Sequence, residues 1–204
     1  MKTKICGITT VEQIEWVNQF KPGYIGFVFA EKSKRLVGVD QAISMSNQLD
    51  RNNIKAVGVF VNHSIKEILD CDKAIDIIQL HGKEDNNFIK KLAEYTNKPI
   101  IKAFSIEDLI DDPVETVADY MLIDSPKAGS GQPFNWRLLQ YAYMNKPYFL
   151  AGGLSPDNVI EAMSISYSTP PMCLDVSSGV ESNGTKDKDK IKKFIEIVRE
   201  QNGK

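Results

Sequence analysis

Histidine and cysteine are scarce in this chain, and long apolar runs and an excess of positive charge are missing altogether. Only His63 and His81 occur in 204 residues, too few for a histidine-built metal centre. Cys6, Cys71 and Cys173 are far apart, odd in number and form no C-x-x-C pair. That excludes a disulfide framework and a zinc site as working readings, and it suits a reducing cytoplasm. Lysine and arginine number 25 against 27 aspartates and glutamates, a formal charge of −2, so no global cationic field is available to hold nucleic acid. No apolar run reaches the roughly 20 residues that cross a bilayer. The two early lysines are not followed by a signal-type apolar segment, so secretion is not expected. These absences leave a cytoplasmic protein with neither nucleic acid nor membrane as partner.

What is present is a series of short β-rich runs: 3–8, 24–29, 56–61, 75–80, 99–103, 120–123, 148–150 and 172–176. Helical signatures lie between most of them. Thr9-Thr10-Val11-Glu12 is a capping-box pattern ahead of Ile14, Val17 and Phe20. Ser155-Pro156 supplies a cap and a first-turn proline before Val159, Ile160 and Met163. Ile191, Phe194, Ile195 and Val198 form an apolar face. Segments 40–49, 64–69, 86–95 and 136–143 also read as helices; 105–118 is the weakest, interrupted by Pro113. Eight strands alternating with helices give an α/β chain with a parallel sheet. Closed, it is a single (β/α)8 TIM barrel over residues 1–204, near the lower size limit of that fold. The competing doubly wound sheet would usually carry G-x-G-x-x-G after its first strand, which Gly7-Ile8-Thr9-Thr10 does not fit.

Barrel chemistry sits at the C-terminal strand ends. The first run ends at Cys6, the second leads to Ser33 and Arg35, the fourth ends at His81 and the sixth at Asp124. Glycine clusters follow the last three: Gly129 and Gly131, then Gly152 and Gly153, then Ser177, Ser178 and Gly179. Each alone reads as an ordinary turn; three at consecutive strands point to a phosphate site. The stretch 179–186 imitates a P-loop, but its lysine follows the threonine instead of preceding it. Arg35 is a carboxylate receptor or one charge of a solvated loop. His81 is a ligand contact or a histidine satisfied by nearby backbone; His63 reads as surface. A lone cysteine is commonly core, whereas a carboxylate after Met121-Leu122-Ile123 costs free energy to bury. Together, Cys6 and Asp124 can flank a substrate as proton acceptor and donor, given a cation to depress the thiol and burial to raise the acid.

The pieces "KICGIT", "GFVFAEKSKR", "VGVFVN", "IQLHGKE", "LID", "GSGQPFNW", "LAGGLSPDNV" and "LDVSSGVESNGTKD" run in order through almost the whole chain. In this the chain resembles the phosphoribosylanthranilate isomerases of tryptophan biosynthesis. The resemblance implies an Amadori rearrangement of N-(5-phosphoribosyl)anthranilate to the carboxyphenylamino-deoxyribulose 5-phosphate, with no cofactor and no metal. Asp124 is then the general acid on the ribose ring oxygen and Cys6 the general base at C2. Arg35 holds the anthranilate carboxylate, His81 lies in the substrate site, and the glycine loops with Ser177, Ser178 and Gly179 bind phosphate. The partner is a small phosphosugar, and the enzyme is a monomer or a homodimer.

Three positions depart from the family pattern. Lys34 stands where proline usually precedes the arginine, Ala128-Gly129 where a glycine pair is common, and Asn183 where proline is frequent. Related barrels fit less well: an indole-glycerol-phosphate synthase needs a catalytic lysine with no clear counterpart, and an epimerase needs more histidines. A binding barrel without chemistry would not need both Cys6 and Asp124.

Overall fold

Alternation along each strand assigns its two faces, and the same alternation closes the sheet. The computed structural model describes residues 1–110, 114–126, 133–165 and 169–203. Strands β1 (Lys2–Cys6), β2 (Tyr24–Val28), β3 (Lys55–Phe60), β4 (Ile77–Leu80), β5 (Ile100–Ser105), β6 (Tyr120–Asp124), β7 (Tyr148–Leu150) and β8 (Cys173–Val176) pair in parallel, each with the next, and β8 returns to β1. The (β/α)8 barrel is therefore closed. Its inside is filled by Tyr24, Val57, Ile77, Ile101, Leu122, Phe149 and Cys173, one from each strand after the first. Their sequence neighbours Ile25, Ala56, Ile78, Ile100, Met121, Ile123 and Leu174 belong to the outer layer under the helices. Side-chain direction repeats every two residues in a strand. Positions two residues beyond the inner layer therefore also face inward: Gln79 and then His81 after Ile77, Asp124 after Leu122, Asp175 after Cys173. On β1 the outer-layer residue is Ile5, which leaves Lys4 and Cys6 for the interior.

Helices α1 (Val11–Phe20), α2 (Val39–Ser46), α3 (Ile65–Asp70), α4 (Asn86–Ala93), α5 (Val159–Met163) and α6 (Lys188–Asn202) pack outside. The α1 cap is one residue later than the sequence pattern suggests: Thr10 accepts from the Gln13 N–H, and the Gln13 side chain accepts from the Thr9 N–H. Ahead of α5, Ser155 opens a preliminary turn and Asn158 takes the cap position. On α6, Ile191, Phe194, Ile195 and Val198 are all buried, each contributing on the order of 2 kcal/mol. Two expected helices are absent from the described residues. After β5 only Glu107–Leu109 makes a 3₁₀ turn, and 114–119 is irregular. After β6, Trp136–Gln140 is 3₁₀, because Asn135 accepts from the Arg137 N–H and tightens the turn from its start.

Beyond β8 the chain forms a short 3₁₀ turn, Ser178–Val180, and then a hairpin of β9 (Glu181–Ser182) and β10 (Thr185–Lys186). Its two-residue turn, Asn183-Gly184, has positive φ at both positions, 53° and 81°, as a type I′ turn requires. Proline is locked near −65° and cannot occupy the first of them. The asparagine in this loop therefore accompanies a different turn, one that places Glu181 directly opposite Lys186.

Candidate active site

Cys6 ends β1 and lines the barrel mouth with Val28 and Val59. Its cross-strand partner is Gly26, and a Cβ added there would lie 2.7 Å from Cys6 Sγ. The missing side chain on β2 is the space the thiol occupies. Gly26→Ala is expected to displace the sulfur and to lower kcat by on the order of tenfold or more, with KM less affected in steady-state kinetics, since an ångström of misplacement is costly. Gly7, the glycine of "KICGIT", serves a different neighbour. Its φ is +85°, and an added Cβ would fall 2.3 Å from Arg35 Cδ, so the arginine stem lies across bare backbone.

One layer below the thiol is a charge pair that the sequence reading missed. Lys4 is completely buried, and its Nζ donates to Asp175 Oδ2 at 2.8 Å. The two residues are in register across the seam where β8 meets β1. Burial works against the lysine charge, yet Asp175 and Cys6 together more than offset it and hold Lys4 above the ordinary lysine range. Asp175 Oδ1 is buried without a hydrogen-bond partner. Burial pushes the Cys6 thiol up, and Lys4, beside it, pulls the other way without reversing the shift. The expected cation is present, but the resting thiol is raised instead of depressed, because its desolvation, joined by the Asp175 carboxylate, outweighs the ammonium groups of Lys4 and Lys186.

Asp124 ends β6, three strands round the barrel from β1 by way of β7 and β8. Its Oδ1 accepts from the Ser125 N–H at 2.7 Å, and Oδ2 lies 3.3 Å from His81 Nε2. The other ring nitrogen, Nδ1, is 2.8 Å from Gln79 Nε2. This network assigns the Nε2–H tautomer, in which Gln79 orients the ring and the ring donates to Asp124. His81 is thus joined to the acid, not merely satisfied by backbone.

Arg35 reaches the same mouth from the loop after β2. That loop is held by the Ser33 N–H on the Ala30 carbonyl, the Leu36 N–H on the Ser33 carbonyl and the Arg35 N–H on Ser33 Oγ. These bonds brace the segment that has Lys34 in place of a proline. The guanidinium donates through Nε and Nη2 to Glu181 at 2.6 and 2.8 Å. Lys186 donates to the same carboxylate and to the Ser177 carbonyl. Burial alone would raise Glu181, but hydrogen bonds from Arg35 and Lys186 keep it below the usual carboxylate range.

The glycine turns after β7 and β8 meet backbone to backbone: a Cβ on Gly179 would sit 2.0 Å from the Leu154 carbonyl oxygen. Gly152 and Gly153 follow β7, and Ser178 starts the 3₁₀ turn after β8. Ser177 differs, because its hydroxyl is spent on the Cys6 carbonyl at 3.0 Å. Gly129 and Gly131 lie outside the described residues. Among the described residues no group of His, Cys, Asp and Glu could hold a metal ion, and no helix is long and apolar enough to cross a membrane.

Comparison with known proteins identifies the family and bears out the barrel. A family model described as N-(5'phosphoribosyl)anthranilate (PRA) isomerase matches residues 3–197. The N-(5'-phosphoribosyl)anthranilate isomerase of Endomicrobium trichonymphae is 44% identical over 204 residues, covering 97% of this chain and 98% of its own. The crystal structure of the Thermus thermophilus phosphoribosyl anthranilate isomerase superposes with a TM-score of 0.85 at 27% identity, over 98% of this chain and 100% of that one. A further structure of this isomerase, in complex with reduced 1-(o-carboxyphenylamino)-1-deoxyribulose 5-phosphate, gives 0.79 at 31% identity over 98% and 99%. On a match that runs from the first strand into the last helix, the chain belongs to the N-(5'-phosphoribosyl)anthranilate isomerase family.

Proposed function

We infer that this chain catalyses the isomerisation of N-(5'-phosphoribosyl)anthranilate to 1-(2-carboxyphenylamino)-1-deoxyribulose 5-phosphate, a step of tryptophan biosynthesis, with Asp124 and Cys6 as its acid and base. The observation that carries the assignment of roles is that both groups face inward at the same end of one closed barrel. In its acid form Asp124 gives a proton to the ribose ring oxygen as the C1–O bond breaks, leaving a protonated Schiff base at C1. The resulting carboxylate keeps the Ser125 N–H and the His81 Nε2–H as donors. Cys6, as thiolate, takes the C2 proton; the electron pair forms the C1–C2 double bond and neutralises the iminium nitrogen. The enol becomes the ketone as its hydroxyl proton leaves to solvent and C1 takes one up, and exchange with solvent removes the proton from Cys6 and restores one to Asp124. No redox cofactor enters this balance.

Arg35 is the receptor we assign to the anthranilate carboxylate. Gly152, Gly153, Ser178 and Gly179, with Gly129 and Gly131, are assigned to the phosphate; Ser177 contributes by pinning β8 to the Cys6 carbonyl. Residues 1–204 act as one catalytic domain. The working unit we propose is one barrel, as a monomer or within a homodimer. Three buried free cysteines suit the cytoplasm, where we place the enzyme.

The test is turnover. Anthranilate and phosphoribosyl pyrophosphate, joined in situ by a separate transferase, give a fluorescent substrate whose signal falls when the isomerase acts. Failure of folded protein to quench it defeats the functional assignment. A second assay reads the thiol. A raised thiol means that the reactive thiolate is the minor form at neutral pH, so alkylation of Cys6 by iodoacetamide, followed on its own peptide by mass spectrometry, is expected to climb by about tenfold per unit from roughly pH 6 to 8. A flat alkylation profile over that range would mean a thiol that is not raised.

A further inference from the structure

Arg35, Glu181 and Lys186 form a partly buried cluster that the acid–base chemistry leaves unused. Glu181 occupies one edge of the guanidinium, the Nε–Nη2 edge, side-on and with both oxygens. A guanidinium has a second bidentate edge, Nη1–Nη2. Nη1 has no partner among the described residues, and the Arg35 side chain keeps 23% of its surface exposed. Lys186, only 1% exposed along its side chain, grips the back of the same carboxylate. Two cations and one anion leave the cluster with a single positive charge. That charge matches one incoming carboxylate.

The hairpin accounts for the geometry. Its type I′ turn at Asn183-Gly184 places Glu181 and Lys186 as a directly opposed cross-strand pair. Lys186 in turn is anchored on the Ser177 carbonyl, at the strand end whose hydroxyl holds the Cys6 carbonyl. The guanidinium is therefore fixed relative to the thiol by hydrogen-bonded links that pass through the end of β8, in addition to those of its own loop.

We propose that Glu181, backed by Lys186, is a positioning residue for substrate carboxylate recognition: it locks Arg35 by its side-on edge and presents the free end-on edge to the anthranilate carboxylate. This rests on the assignment of Arg35 as the carboxylate receptor. The alternative is that Glu181 competes for the arginine and must be displaced. The two readings differ in sign.

The experiment compares wild type, Glu181→Gln, Glu181→Asp and Arg35→Met. The probes are two competitive inhibitors, the reduced product with its carboxyl group and the reduced phenylamino counterpart without it. In wild type the first binds more tightly, and the ratio of the two inhibition constants measures carboxylate recognition. Glu181→Gln is expected to reduce that ratio by on the order of tenfold, with KM rising more than kcat falls. Glu181→Asp, which keeps the charge and shortens the reach, is expected to lie between, and it carries the test if the glutamine variant does not fold by circular dichroism. A lower KM or a larger ratio on replacing Glu181 would overturn the proposal in favour of competition, and an unchanged ratio would overturn it outright. Arg35→Met separates the two assumptions. If it leaves the ratio intact, Arg35 is not the receptor and the proposal falls with that assignment; if it abolishes the ratio while the Glu181 variants do not change it, only the proposal fails.

Discussion

Asp124→Asn is expected to lower kcat by about 10²- to 10⁴-fold, the range that a positioned general acid or base supplies. Asparagine is nearly isosteric, and its carbonyl oxygen can still accept the Ser125 N–H that Asp124 Oδ1 takes at 2.7 Å. What disappears is the transferable proton facing the substrate. Melting temperature should fall by a few degrees with volume kept, because the asparagine nitrogen meets the His81 Nε2–H as a second donor. Cys6→Ser should give a loss of the same order for the complementary reason: a hydroxyl is far less acidic than a thiol, so the alkoxide fraction is negligible. The double variant should be little worse than either single, as happens when two groups act as one unit. Circular dichroism and stopped assays on both variants decide it. Retention of more than about a tenth of wild-type kcat by either folded variant removes that residue from the proton path.

Lys4→Met has two separable consequences. The first is stability: an isolated carboxylate, Asp175, would be left in the barrel interior with Oδ1 already unpartnered. Breaking a buried pair from one side costs about 3–5 kcal/mol, read from the denaturant midpoint at unchanged m. The second is electrostatic. Lys4 opposes the upward push of burial on the Cys6 thiol, so its removal raises the thiol further and moves the rise of Cys6 alkylation to higher pH. Lys4→Met combined with Asp175→Asn isolates the two. The neutral pair should regain much of the stability, since two neutral groups need no compensation, and its pH profile should return part of the way, because the Asp175 carboxylate that also holds the thiol up is gone. A Lys4→Met single variant with a wild-type profile would show that Lys4 has no influence on the thiol.

The strands and their order could be read from the sequence because each is a short apolar run bounded by polar turns, and eight of them at this length favour a closed parallel sheet over a doubly wound one. Cys6, His81 and Asp124 were singled out by the same logic, as polar residues ending such runs. Lys4 and Asp175 passed unnoticed for a physical reason. A charge alternating with apolar residues in one strand normally faces solvent, and only closure of β8 onto β1 turns both inward and opposite. Opposite charges at inward positions of the first and last strands were the available signal. Glu181 and Lys186 were absorbed into a glycine loop, although Asn183-Gly184 is itself a hairpin signature. The two missed 3₁₀ segments follow from local competition. Pro113 weakens one helical pattern, and the Asn135 side chain starts the other in a tighter turn.

The buried pair at the seam also bears on how the chain folds. Lys4 and Asp175 are separated by 171 positions, so neither is neutralised by the other until the last strand docks on the first. Any half-barrel intermediate that buries the β1 interior has to leave this ammonium either wet or unpaired. Such an intermediate is penalised, whereas the closed form is not, and the penalty adds to the entropy of bringing distant segments together. The pair thereby acts kinetically, disfavouring open sheets with an exposed edge at β1 or β8 and coupling the two ends of the barrel into one cooperative transition.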